Sequence, residues 1–381
     1  MKKALMILLL VALVVPAASY GASARWNALG NEHRFMLDTS NYGIYPARMF
    51  MFSDALWIIP NIPAGANVPD NVMSGLLVTS GNTAYAIHYN LPGTVAFGAL
   101  RNALAAPAAG ANLNAIAGNL RPMPDFMVAR KSGDKVWAGR LVMGLASSEP
   151  VADKTASAMS LDLAGGVQMP TSMGALDVGL RLAMASFSDE SGAAKIESDG
   201  GTGVNIDARL LMDRGEGVKL IPIAGIMFQA KPTVKGGPKV SALNVNLGLG
   251  YNKGFPDKRM LVTGAVLDYT TETTKIGGAS AKTNTANLAY LGGYELPLNS
   301  WLIARGGARA DMTMVGGDNP AVNGTRSVFY YNFGVRTIYK KVLVDAIFDR
   351  ALFHRGPYIL SGSGANMAGN ICLTYLFGPT K

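Results

Sequence analysis

The sequences MSLDLAGGVQM at residues 159–169 and LDVGLRLAM at residues 176–184 decide the fold class. In both, apolar residues alternate with small or charged ones, so that Leu161 and Leu163 share a face opposite Asp162. A period of two is typical of a β-strand with one apolar and one polar face. The alternation holds for about 10 residues in each stretch, which is the length that a tilted strand needs to cross a bilayer.

The same alternation recurs along the chain and predicts an all-β fold. Strand-like segments cover residues 49–60, 73–89, 135–147, 155–169, 173–188, 203–213, 217–230, 239–252, 258–272, 284–297, 300–314, 326–340, 341–354 and 366–377. The segment 73–89 is either one strand or a strand pair, and the alanine-rich stretch 102–119 is interpreted as a loop. Because bacterial barrels have even numbers of strands, we expect residues 49–381 to form a transmembrane antiparallel β-barrel of about 14 strands, within a range of about 12 to 16.

The N-terminus has the pattern of a secretory signal peptide. Lys2 and Lys3 precede the apolar run 4–15, and Ala22-Ser23-Ala24 is a plausible cleavage site. A membrane anchor is the alternative, but about 12 apolar residues are too few to span a bilayer. We therefore expect residues 1–24 to be removed on export, which lowers the net charge from +9 to +7 because both lysines are lost.

Composition favours an outer-membrane protein of a Gram-negative bacterium. Hydrophobic residues make up 49% of the chain and charged residues 15%, which suits a protein with one face in lipid. After the signal, no apolar stretch approaches the roughly 20 residues of a spanning helix. The basic residues are scattered without interleaved aromatic residues, so nucleic acid is not an expected partner. The expected partners are outer-membrane lipid, lipopolysaccharide and small solutes.

Residues 25–48 lack alternation and are rich in polar and turn-forming residues. Because this segment precedes the first strand, we expect it to fold inside the barrel as a plug. A periplasmic tail is the alternative. The candidate plug residues are Glu32, Arg34, Asp38, Tyr45 and Pro46.

Three short elements of this segment resemble the start of mature FadL-like and PorV-like outer-membrane proteins. The elements are Ala28-Leu29-Gly30, then Asp38, then Tyr45-Pro46-Ala47, where Tyr45 replaces the family's asparagine. The resemblance covers about 25 residues and implies a fourteen-stranded barrel with an N-terminal plug. Members of these families carry hydrophobic molecules across the outer membrane or serve in secretion. No ligand-contacting residue can be carried over from the resemblance.

Charged residues fall on the strand face opposite the leucines. They are Asp162, Asp177, Arg181, Asp207, Arg209, Asp268, Glu295, Arg305, Arg309, Asp311, Arg336, Asp345 and Asp349. On a lipid face each arginine near the midplane would cost about 2 to 4 kcal/mol, so we expect these side chains to face the lumen. Two interpretations remain open: a network of ion pairs that fills the barrel and holds the plug, or a charged constriction that selects solutes.

The sequence carries little sign of catalysis or of a bound cofactor. His33, His88 and His354 have no metal-ligand spacing with each other or with Cys372, so no metal site is predicted. The S-x-x-K match at Ser132 lies in a predicted hairpin turn and lacks its companion motifs. Asp and Gly turns at 199–201 and 316–319 could hold Ca²⁺, but such turns are common. We expect a channel or transporter for small solutes, hydrophobic ones included; the alternative is a structural or secretion-associated barrel that binds proteins.

Overall fold

The computed structural model describes residues 29, 33–35, 44–51, 54–59, 73–89, 121–151, 154–190, 195–318, 323–348 and 368–377. Within them, the fold consists of strands and two 3-10 helices, His33–Phe35 and Pro46–Met51. The strands are β1 (Ala55–Ile59), β2 (Met73–Ser80), β3 (Thr83–Tyr89), β4 (Arg121–Ser132), β5 (Lys135–Val151), β6 (Lys154–Thr171), β7 (Gly174–Asp189), β8 (Ile196–Glu197), β9 (Gly201–Asp213), β10 (Val218–Ala230), β11 (Lys239–Gly254), β12 (Met260–Ile276), β13 (Ala279–Pro297), β14 (Leu302–Gly317), β15 (Gly324–Tyr339), β16 (Val342–Phe348) and β17 (Ala368–Leu376).

The strands form a closed antiparallel barrel of 16 strands with one extra strand, which confirms the predicted all-β barrel architecture. Each strand pairs with its neighbour in sequence, except that β7 pairs with β9 across the short β8. The ring closes where β17 pairs with β1. Because β1 also pairs with β2, the backbone hydrogen bonds continue around the ring and its 16 strands leave no free edge.

The predicted strand number of about 14 is wrong, although 16 lies within the predicted range. Residues 73–89 form two strands, β2 and β3, because Gly81 adopts a φ of 57° in a tight turn between them. Strand β4 lies in a stretch that the alternation did not reveal. It contains Pro122 and Pro124, and its register with β5 shifts between Pro122 and Asp125. The first three residues of the predicted segment 49–60 belong to the helix Pro46–Met51.

The two ends of the barrel have connections of different length. One end carries the short turns at 81–82, 133–134, 172–173, 214–217, 255–259, 298–301 and 340–341. We call it the short-turn end; Asp54, which precedes β1, and Phe377, which follows β17, are hydrogen-bonded to each other there. At the other end, β12 and β13 are joined by a short turn at 277–278, whereas the chain between β1 and β2, between β3 and β4, and between β16 and β17 runs through longer stretches outside the described ranges.

The outer face of the barrel wall is apolar. Leu247 of β11 pairs with Leu267, which pairs with Leu288, which pairs with Met312 of β14. Leu247 is 53% exposed although it sits in the middle of its strand. The next residues on each strand point the other way and are mostly buried or half-buried, as with Asn246 beside Leu247. Period-two alternation therefore separates an apolar outer wall from a polar inner wall.

The inner wall also carries two apolar clusters toward the short-turn end, and the N-terminal residues pack on both. Leu29 and Phe35 pack against a cluster from β9 to β13 that includes Ile221 and Val262. Ala47 and Met49 pack against a second cluster from β2 to β5, centred on Leu77. The described residues before β1 thus lie against the inside of the wall.

Candidate functional site

Glycines on the inner wall make room for the N-terminal residues. A Cβ atom at Gly250 would lie 2.5 Å from Cδ1 of Phe35, and one at Gly293 would lie 2.7 Å from Cα of Leu29. A Cβ at Gly179 would collide with the backbone oxygen of Ile44. These distances are below normal contact, so only glycine permits the observed approach at these positions.

Gly179→Ala is therefore expected to displace the residues around Ile44, because a backbone oxygen cannot rotate away as a flexible side chain can. Limited proteolysis of the folded protein should then cleave the segment before β1 at least several times faster than in the wild type. Gly292→Ala is the matched control, since nothing lies within 4 Å of a Cβ there. Equal protection in both variants would show that the contact at Gly179 does not hold the segment.

The strongest link between the N-terminal residues and the wall is a buried cluster around Asp177. Its Oδ2 accepts hydrogen bonds from Nε of Arg48 at 2.6 Å and from Nε of Arg209 at 2.9 Å. Arg209 also donates to the backbone oxygen of Arg34 at 2.8 Å and lies 4.3 Å above the ring of Tyr45. Asp177 and Arg209 are each 1% exposed, so the cluster is closed to solvent. Burial raises the pKa of the Tyr45 phenol, which stays neutral.

Asp177→Ala is expected to destabilise the protein by about 3 to 5 kcal/mol, because it leaves two buried guanidinium groups without their shared carboxylate. The free energy of unfolding can be measured by denaturant titration in phospholipid vesicles. Asp199→Asn is the control: Asp199 pairs with Lys239 at 3.5 Å near the surface, where a pair contributes about 0 to 1 kcal/mol. Similar losses in the two variants would contradict a special role for the buried cluster.

A second cluster joins four strands on the other side of the barrel. Arg305 of β14 donates from Nε to Glu295 of β13 at 2.6 Å and from Nη1 to Asp345 of β16. Arg336 of β15 contacts the same carboxylate through two hydrogen bonds, both 2.9 Å long. The bidentate geometry fixes the guanidinium plane against Asp345. This network ties neighbouring strands together near the short-turn end.

The remaining predicted lumen residues lie along the inner wall between these clusters. Asp207 is 8% exposed and accepts a hydrogen bond from Asn205 at 2.7 Å. Asp268 lies 3.5 Å from Nη1 of Arg34, and Arg309 donates to Asp311 at 2.8 Å. Asp162 is buried on β6, and Arg181 is half-buried on β7 opposite Asn205. That these residues line a solute path stays a prediction.

Some predicted residues lie outside the described part of the chain, and one cluster was not predicted. Glu32, Asp38 and Asp349 fall outside the described ranges, whereas Pro46 begins the second 3-10 helix. The sequence analysis missed Arg140, which binds Asp125 at 2.8 and 2.9 Å; Asp125 also lies 3.3 Å from Nδ1 of His88. If β4 had been recognised as a strand, its alternation would have placed Asp125 on the inner face and indicated this cluster.

The charges of both clusters are arranged in opposite-sign pairs. The carboxylates of both clusters contact guanidinium groups, which is the condition for keeping charge in a buried site. Among the described residues, no group of three or more His, Cys, Asp or Glu side chains could hold a metal ion. No helix in the described ranges is long and apolar enough to cross a membrane.

The architecture defines the protein as a closed antiparallel barrel of 16 strands whose inner wall contacts described residues that precede β1, such as Leu29 and Phe35. No family model and no curated protein matches the chain. Among solved structures, it is similar to CdiB from Acinetobacter baumannii at 10% identity and a TM-score of 0.41, over 85% of this chain and 59% of CdiB. The chain thus spans under two thirds of the CdiB chain.

Two further solved structures are similar. One is a deltaS2S3 mutant of the monoaromatic hydrocarbon channel TodX, with 9% identity and a TM-score of 0.38 over 94% of this chain and 99% of its own. The other is the β domain of the Bordetella autotransporter BrkA, with 12% identity and a TM-score of 0.32 over 76% and 100% of the two chains. At these values no family and no function is carried over to this chain.

Proposed function

We propose that this protein is an outer-membrane channel or transporter that admits small solutes without chemistry. The closed ring supports this proposal because a membrane-spanning sheet must satisfy all its backbone hydrogen bonds internally. The apolar outer wall is suited to lipid, with residues such as Leu247 and Leu180 exposed in mid-strand. A barrel of 16 strands is in the size range of porins, which leave an aqueous path through the middle.

In this proposal the short-turn end faces the periplasm, because transmembrane barrels have short periplasmic turns and longer extracellular connections. The N-terminal segment then enters from the periplasm and lies inside the wall. Residues 25–48 act as a plug that narrows the path. The contact of Arg48 and Arg209 with Asp177 is the observation that carries this part of the proposal, since it joins segment and wall in one buried cluster.

The solutes in this proposal include hydrophobic molecules. The inner wall near the short-turn end is apolar at Ile223, Val266 and Leu291, which a hydrophobic solute can contact once the path is open. Farther along the same strands, Asn246 pairs with Asp268 and Asp268 pairs with Asn287, so the wall becomes polar. A solute that enters from the end opposite the short turns therefore meets polar groups before it reaches the apolar clusters.

The experiment that tests the proposal is a single-channel recording of the refolded protein in a planar bilayer. We expect discrete current steps that are small for a barrel of this size, because the N-terminal residues occupy part of the interior. Liposome swelling with small sugars and with amino acids then measures solute passage. Complete electrical silence, both with and without residues 27–45, would overturn the channel proposal.

The second candidate function is a barrel that binds partner proteins, for example in secretion. The observation that favours it is the tight packing of residues 44–51 on the inner wall, with Tyr45, Ala47 and Met49 at most 1% exposed. A permanently filled lumen would suit a structural role better than transport. The silent result described above would favour this candidate.

A further inference from the structure

The short-turn end of the barrel has an excess of basic residues. Within the described turns and two residues to either side, the basic rim consists of Lys131, Lys135, Arg214, Lys219, Lys253, Lys258, Arg259, Lys340 and Lys341. The acidic residues in the same positions are Asp134, Asp213, Glu216 and Asp257, and Asp54 precedes β1. Most of the rim side chains are exposed. The positive charge is therefore open to a partner outside the barrel.

The opposite end of the barrel is different, because several of its lysines are paired with carboxylates. Lys195 binds Glu190 at 2.7 Å and Glu197 at 3.0 Å, and Lys235 binds Glu197 at 3.1 Å. Lys239 lies 3.5 Å from Asp199. In the described part of the rim, by contrast, the ion pair found is the one between Arg259 and Asp257. Among the described residues, more basic side chains without a carboxylate partner therefore lie at the short-turn end than at the opposite end.

The rim also combines basic residues with aromatic rings. Lys253 and Arg259 lie 5.2 and 5.1 Å from the ring centre of Phe255, and Lys340 lies 5.6 Å from that of Tyr339. Trp137, which pairs with Arg130 across the β4–β5 hairpin, is 55% exposed. Aromatic rings with adjacent cations are typical of the depth at which lipid headgroups meet a membrane protein.

We propose that the basic rim binds anionic phospholipid headgroups in the leaflet that the short-turn end faces. This inference rests on the proposed membrane location. The basic residues lie on turns between β4 and β5, β9 and β10, β11 and β12, and β15 and β16, which are spread around the ring. A protein partner docks on one contiguous patch, whereas lipids surround the wall on all sides. The distribution therefore fits lipid headgroups better than an acidic protein.

The test measures lipid selectivity of the full chain reconstituted in phosphatidylcholine vesicles. Trace spin-labelled phosphatidylglycerol and spin-labelled phosphatidylcholine report, by electron spin resonance, the ratio of their association constants at the protein surface. We expect the wild type to prefer phosphatidylglycerol about fivefold at low salt. This is the ratio expected when each bound headgroup contacts about one basic residue, since one such contact contributes about 1 kcal/mol. The preference should fall in 1 M NaCl, where the Debye length is about 3 Å.

Two triple variants of equal charge locate the effect. Lys131→Gln, Lys258→Gln and Lys340→Gln remove charge from three turns of the rim, and we expect the preference to fall by at least about half. Lys235→Gln, Lys275→Gln and Lys282→Gln remove the same charge from the opposite end and should leave it unchanged. No preference in the wild type, or equal losses in both variants, would overturn the proposal.

The same measurement separates this inference from the proposed function. If no conductance is found but lipid selectivity is intact, the channel proposal is contradicted and the lipid-binding proposal for the basic rim still holds. Absence of any immobilised lipid would show that the chain does not enter a bilayer, which would overturn both. Soluble polyglutamate, tested on detergent-solubilised protein, is a further arm. If polyglutamate binding depends on the basic rim and no preference for phosphatidylglycerol is found, the lipid proposal is overturned and the rim binds an acidic protein partner instead.

Discussion

Deletion of residues 27–45 is expected to raise the single-channel conductance severalfold while the barrel still folds. The deletion removes Leu29, Phe35 and Tyr45, which pack on the inner wall, and leaves every strand in place. A barrel of 16 strands without interior filling leaves an aqueous channel. Planar-bilayer recording measures the conductance, and heat-modifiable mobility on a gel shows that the barrel is intact.

Leu29→Ala with Phe35→Ala is a milder variant that weakens the same contacts without shortening the chain. We expect its conductance to lie between those of the wild type and the deletion, because the Asp177 cluster still contacts Arg48 and, through Arg209, the backbone of Arg34. Unchanged conductance in the deletion, together with rapid proteolysis of this segment in the intact protein, would instead identify a periplasmic tail. That result would also weaken the resemblance to FadL-like proteins, which rests on the same residues.

Leu247→Arg is expected to destabilise the protein in a bilayer by about 2 to 4 kcal/mol, the cost of an arginine on the lipid face near the midplane. Leu247 is 53% exposed on the outer wall, and its cross-strand neighbours Ala224 and Leu267 are also apolar. The free energy of unfolding in phospholipid vesicles, obtained by denaturant titration, measures the effect.

Asn244→Arg is the control on the same strand. Asn244 lies on the inner face and donates a hydrogen bond to Thr270 at 2.8 Å, so an arginine there meets polar groups instead of lipid. We expect a loss of less than about 1 kcal/mol, similar to that of one hydrogen bond. Equal losses from the two substitutions would contradict the assignment of the outer wall to lipid and thus the proposed location.

The fold was predictable where alternation is strong and unpredictable where other residues interrupt it. On β7 the sequence alone separates Leu180 from Asp177, because each residue type repeats at every second position. Strand β4 escaped notice because Pro122 and Pro124 break the pattern and the preceding alanine-rich stretch favours a loop. Whether residues 73–89 form one strand or a strand pair was open in the sequence, and the tight turn at Gly81 divides them into β2 and β3.

The candidate site was less predictable than the fold, because alternation gives the face of a residue but not its partners. Arg305 and Asp345 lie on strands two places apart in the ring, and nothing in their spacing indicates the contact. Arg48 lies 129 residues from Asp177 and in a segment without periodicity. The predicted roles of the lumen residues therefore depend on long-range packing that only coordinates reveal.

Closure of the ring by its first and last strands has a consequence for biogenesis. Strand β17 supplies the hydrogen-bonding edge for both β1 and β16, so the sheet stays open until residues 368–376 have been synthesised and placed. After that step the residues that precede β1 can reach the inner wall only through an end of the cylinder, since the closed wall has no gap between its strands. Premature termination before residue 368 would therefore leave β1 and β16 as adhesive edges and the inner segment unenclosed.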